Sequence, residues 1–183
     1  MKLQIHPDTV ARLTRELAQA GRREIGGVLV GEHLDRNTFR IADLSVQRHG
    51  GDNACFVRRP AHHRGFLDAF FASTGDAYDR FNYLGEWHSH PSFSTEPSGT
   101  DLLQMHEIVN DGPSAPPFAI LLIVRLGAER RLVLSAFAFR GDTMEPATLL
   151  VAPRPEDDPA KRPRGWLSRW FGRPETKPVI RLI

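Results

Sequence analysis

The chemistry in this chain of 183 residues concentrates at His88-Ser89-His90-Pro91, from which seven residues, Pro91 through Pro97, lead to Ser98-Gly99-Thr100-Asp101. Side chains on a strand repeat every two residues, so His88 and His90 project from one face and can share an ion. Asp101 would lie in the first turn of the following helix, where the chain can fold back and offer a carboxylate as third ligand. Two His, one carboxylate and an open fourth position form the ligand set of a catalytic zinc site, in which bound water is acidified to a pKa of roughly 7. Each piece also has a plainer reading. Ser98-x-x-Asp101 is a helix capping signal, and His-x-His alone is more often a pair of satisfied or exposed histidines. It is the combination at these offsets that favours a metal site, and the capping reading is compatible with it, because a helix start adds rigidity and a positive dipole. Cys55 is the single cysteine, so a metal here must be held by His and Asp, and no internal disulfide can form.

The elements that must position these residues follow from periodicity. Asp8 or Thr9 is predicted to cap a helix with Val10, Leu13, Leu17 and Ala20 on one face and Gly21 as its stop. Strands are expected at 25–32 and 39–48, with a short one near Cys55 to Arg58. Pro60 opens a helical segment whose apolar side is Phe66, Leu67, Phe70 and Phe71. Residues 82–90 have strand character, Ser98 begins the next helix, and residues 118–125 and 131–140 read as a buried hairpin. Mixed helices and strands point to an α/β or α+β sandwich.

Composition bounds the rest. Forty per cent hydrophobic residues and 24 basic against 22 acidic ones fit one globular domain and argue against wholesale disorder or a strongly basic nucleic-acid module. Residues 151–183 hold 6 of the 14 prolines and 8 of the 24 basic residues. They read as a Pro-rich basic appendage to a domain spanning 1–150. Within it Trp166, Leu167, Trp170 and Phe171 are spaced as one helix face, which suggests fold-back or docking on a protein, and the last residues, from Val179 to Ile183, could pair with an edge strand. The N-terminus lacks the apolar core of a signal peptide, and no run approaches the roughly 18 apolar residues of a membrane span. The expectation is a soluble, cytoplasmic protein.

His-Ser-His-Pro, the seven-residue spacer and Ser-x-x-Asp resemble the signature of the JAMM metalloproteases, also called MPN+ or JAB. An upstream glutamate before a Gly-rich strand completes that pattern, and Glu24-Ile25-Gly26-Gly27-Val28-Leu29-Val30-Gly31 matches it. The resemblance covers about residues 1–145 and looks most like the prokaryotic JAB proteins, some of which are encoded beside ubiquitin-like, E1-like and E2-like proteins in antiphage operons such as CBASS and Bil. It implies a mixed, curved β-sheet sandwiched by helices. It also implies a zinc-dependent peptidase that cleaves after the C-terminal tail of a ubiquitin-like protein. By position, His88, His90 and Asp101 would hold one Zn2+, Glu24 would be the general base and proton shuttle, and Ser98 would donate to the oxyanion.

Glu86 faces the same way as the histidines on strand periodicity, and could orient an imidazole or compete for the base role. Arg58, Arg59 and Arg64 could steer an acidic partner, although Arg clusters are usually solvated faces. His62 and His63 read as surface-loop residues, His106 as a helix-surface residue and Glu32 as a strand-end charge. Segments 48–65 and 109–117 are the candidates to clasp an extended tail added as a strand. Two other readings stay open: a peptidase acting on a sulfur-carrier protein, and a metal-free scaffold of the same fold. No specific nucleic-acid partner is expected.

Overall fold

The computed structural model describes residues 1–48 and 59–152, and the backbone of 180–182. Cys55, Arg58, the strand expected beside them and the aromatic segment of the tail lie outside the described residues.

Helix α1 (Pro7–Ala20) buries Val10, Leu13 and Leu17 at the predicted spacing, and full burial of each such side chain contributes roughly 1.5–3 kcal/mol. Its cap is His6 rather than Asp8 or Thr9. Pro7 at the first helical position has a ring-locked φ already suited to a helix and starts it earlier, and His6 Nδ1 accepts from Asp8 N. Gly21 ends the helix as expected, at φ 66° with its N–H on Leu17 O.

The strands β1 (Lys2–Ile5), β2 (Gly26–Asp35), β3 (Thr38–Leu44), β4 (Phe81–Ser89), β5 (Ala119–Leu126), β6 (Leu132–Arg140), β7 (Thr143–Pro146) and β8 (Thr148–Val151) form one mixed sheet in the order β7-β6-β5-β4-β2-β3-β1-β8. β7 and β8 lie at opposite ends of that order yet are separated in sequence only by Ala147. The sheet must therefore curl until its edges meet, and this gives it an inside and an outside. α1 fills the inside, where Leu3, Ile5, Leu29, Trp87, Ile120 and Leu122 meet its apolar face. Helices α2 (Pro60–Ser73) and α3 (Gly99–Asn110) lie outside, α3 packing Met105 and Val109 on Leu121, Ile123, Phe137 and Phe139. The expected hairpin is β5–β6, and β9 (Ile180–Leu182) adds in parallel to β6 along Leu132–Leu134. The short β1, β7 and β8 carry too little pattern to be foreseen. Among the described residues no helix is long and apolar enough to cross a membrane.

One irregularity decides which way the functional strand faces. Leu29 pairs with Gly85 and Val30 with Tyr83, so Leu84 is an extra residue in β4. Leu84 and Trp87 consequently both face the inner core, and Glu86 and His88 fall on the outer face with α2 and α3. Gly85, at φ 147°, makes this possible, because a Cβ there would stand 2.0 Å from Ile120 O.

Candidate metal centre

β4 brings His88 to the outer face at its C-terminal end, and His90 continues the same register, its N–H donating to Val124 O on β5 at 2.9 Å. The residue between them ties this end to the chain carrying Glu24: Ser89 N–H donates to Ile25 O at 2.8 Å, and Ile25 N–H donates to Ser89 Oγ at 3.0 Å. Gly26 pairs directly with His88, so Glu24, two residues earlier, shares the outer face with it. Glu24 is buried, and its charge is among those that favour protonated His90.

Asp101 arrives from α3. Ser98 caps that helix in a reciprocal box, its Oγ accepting from Asp101 N at 3.2 Å while an Asp101 carboxylate oxygen accepts from Ser98 N at 2.7 Å. Both readings of Ser-x-x-Asp therefore hold together, since the capping geometry is what aims the carboxylate at the histidines. His88 Nε2 lies 3.0 Å from His90 Nε2 and 3.3 Å from Asp101 Oδ1, and His90 Nε2 lies 3.6 Å from Asp101 Oδ2.

These residues fit a zinc ion. Bonds of about 2.0–2.1 Å in tetrahedral geometry set ligand atoms about 3.3–3.4 Å apart; the His88–His90 and His88–Asp101 Oδ1 separations of 3.0 and 3.3 Å are close to that edge, and the second carboxylate oxygen stands 3.6 Å from His90 Nε2. His90 Nδ1 lies 2.7 Å from Ser94 O. A carbonyl only accepts, so Nδ1 carries a proton, and once Nε2 gives up the proton it shares with Asp101 its lone pair is turned toward the shared point. Burial works against the charge of Asp101, yet hydrogen bonds from His88 and His90 hold its carboxyl far below the usual range. Burial likewise opposes the charge on His90, but the hydrogen bonds to Asp101 and to the Ser94 carbonyl raise its pKa above the ordinary value. The buried His88 and His90 and the half-buried Asp101 form a single site for Zn2+.

Glu86 is buried on the same outer face as His88. Arg59 and Arg64 are exposed at the start of α2, where Arg59 N–H is accepted by Gln47 Oε1. His62 is exposed, but His63 is not a surface-loop residue: it belongs to the first turn of α2, is 1% exposed, and its Nδ1 meets Ser45 Oγ at 2.8 Å. The surrounding Arg-rich stretch obscured it, because Pro60 places these residues in a helix with one face on the sheet. His106 is half-buried against Phe139 and bonds Gly141 O. Glu32 is not a strand-end charge, since it lies inside β2 between Arg40 and Arg80. Ser94, which orients His90 through its backbone, carries no signal in its residue type and was invisible to sequence reasoning.

The family described as prokaryotic homologs of the JAB domain matches residues 6–137. The chain belongs to this family. Two curated proteins named CD-NTase/cGAS isopeptidase resemble this JAB-domain chain. One, from Enterobacter hormaechei subsp. hoffmannii, is 29% identical over 128 residues, 64% of the chain and 65% of that protein. The other, from Vibrio cholerae serotype O1, is 33% identical over 121 residues, 62% of the chain and 72% of that protein. The chain thus spans just under two thirds of the Enterobacter relative. A solution structure of a Desulfitobacterium hafniense protein shares the JAB-type fold at TM-score 0.56 and 18% identity, covering 82% of this chain and 92% of the other.

Proposed function

We propose that this JAB-domain protein is a zinc-dependent isopeptidase or peptidase that cleaves after the C-terminal tail of a ubiquitin-like protein. The observation that carries the reading is the convergence of two imidazoles and one capped carboxylate, with the charge of the buried Glu24 acting on His90. A zinc ion held by His88, His90 and Asp101 would acidify a bound water and polarise the scissile carbonyl. Glu24, on the same face, would take the proton of the attacking water and return it to the leaving lysine amine. Ser98 Oγ uses a lone pair on Asp101 N–H, which leaves its hydroxyl proton to donate to the developing oxyanion. Glu86, buried on the same face, would support a ligand imidazole, and the exposed Arg59 and Arg64, together with Arg58, would meet an acidic partner surface.

The relatives' name, CD-NTase/cGAS isopeptidase, supports a CD-NTase as the protein held through the isopeptide bond; we take its other half to be a ubiquitin-like protein, attached by E1-like and E2-like proteins, and the reaction to be cytoplasmic. We take residues 1–150 as the protease domain and 151–183 as its appendage. The test is the intact mass of such a conjugate, and of a C-terminally extended ubiquitin-like precursor, after incubation with the protein, with Glu24→Gln and with metal-stripped protein. One cut after the mature terminus, by the zinc form alone, is expected. Full cleavage after complete metal removal would overturn the reading, and cleavage of a sulfur-carrier protein alone would reassign the substrate.

A further inference from the structure

Ser45 and His63 take no part in the chemistry above, yet both are buried immediately behind it. Ser45 stands one residue beyond β3, opposite Val28 of β2. Its N–H donates to Val28 O at 3.0 Å, but the return bond is made by its side chain: Val28 N–H donates to Ser45 Oγ at 2.9 Å. The Ser45 carbonyl is thereby free of the ladder and accepts from Trp87 Nε1 at 2.8 Å. It also lies over Gly27, where a Cβ would come within 2.2 Å of it. Gly27 pairs with Trp87 and Gly26 pairs with His88. One residue thus grips β2 close behind Glu24 and β4 at the residue before a zinc ligand.

The Ser45 hydroxyl, already an acceptor for Val28 N–H, has its orientation set by His63 Nδ1 at 2.8 Å. His63 comes from α2, so this bond anchors the helix to the two strands.

We propose that Ser45, held by His63, is a positioning residue for the zinc centre, setting the registers on which Glu24 and His88 meet. The proposal rests on the reading of that centre as a zinc peptidase, but it predicts a change in metal geometry that is measurable without turnover. Misplacing a catalytic group by about 1 Å can cost roughly 100-fold in rate, and loss of the partners that orient ligands typically costs 10–100-fold in metal affinity.

The experiment uses the full chain with Co2+ in place of zinc, reading affinity by competition and geometry from the visible absorption bands. The variants are Ser45→Ala, His63→Leu and His63→Asn, each with its thermal midpoint. Ser45→Ala and His63→Leu should weaken Co2+ by about tenfold or more and shift the bands. Where cleavage is measured, they should lower kcat while leaving KM in place. His63→Asn, whose amide can reach Ser45 Oγ from the position of Nδ1, should restore the spectrum and the rate. His63→Leu, which keeps the Ser45–Val28 bond, decides the matter if Ser45→Ala fails to fold. A folded His63→Leu protein with the native cobalt spectrum, affinity and kcat would overturn the proposal. Should the unaltered protein bind cobalt but cut no substrate, the peptidase reading fails while the cobalt comparison still decides the positioning role.

Discussion

The Nε2 atoms of His88 and His90 face each other at 3.0 Å across the outer surface of the sheet. Two neutral imidazole lone pairs at this distance repel unless a cation or a shared proton lies between them, and the Asp101 carboxylate beside both rings adds further demand for positive charge. The metal-free centre is therefore built to be neutralised. Titration with zinc should show one ion per chain and a rise in thermal midpoint, since ligand at about 100 times its Kd stabilises by roughly 2.7 kcal/mol. His88→Ala or His90→Ala should remove both effects, and calorimetry or mass spectrometry under native conditions would detect them.

The same charges give the metal-free protein a pH optimum for stability. Asp101 titrates below its ordinary 3.8, so its contribution is present above that value and is lost as pH falls through the lowered pKa. His90 titrates above its ordinary 6.5, so its contribution is complete below that value and is lost as pH rises through the raised pKa. Thermal midpoints in a chelating buffer should peak between these limits. Asp101→Asn should flatten both sides, and an unchanged profile in that variant would count against the pairing.

Glu24→Gln separates binding from chemistry. The amide keeps the size of the side chain but cannot take a proton, so zinc stoichiometry and thermal midpoint should stay near those of the parent. The rate kcat should fall by roughly 100- to 10,000-fold, the usual contribution of a general base. Steady-state cleavage beside metal analysis reads both.

Ser98 has two duties, and they respond to different substitutions. Ser98→Ala removes both the cap and the hydroxyl donor, with an expected loss of about 1 kcal/mol in stability and about 100-fold in kcat. Ser98→Gly, a tolerated cap, should cost only a few tenths of a kcal/mol and yet lose the same activity. Recovery of the rate in Ser98→Gly would remove the oxyanion role.

Gly85→Ala tests the strand irregularity that turns His88 outward. The added Cβ would meet Ile120 backbone at a φ that favours glycine, so a loss of more than about 2 kcal/mol is expected. Chemical denaturation would measure it, and zinc binding should weaken in any folded fraction.

The sequence by itself determined the ligand types, their spacing and the elements that carry them. His-x-His on a strand must present both rings to one side, a Ser-x-x-Asp box must aim its acid back toward the helix start, and the spacing of Val10, Leu13 and Leu17 must make a helix with one buried face. These are short-range consequences of backbone geometry, and they survive any tertiary context that keeps the elements. What lay between elements was open. Only the long-range antiparallel pairing of β2 with β4 sets Ile25 against Ser89 and so brings Glu24 to histidines more than sixty residues away. The orienting bond from His90 to Ser94 and the burial of His63 against Ser45 were likewise settled by packing. A backbone carbonyl has the same chemistry in every residue type, and a histidine in an Arg-rich stretch looks like surface until a sheet covers it.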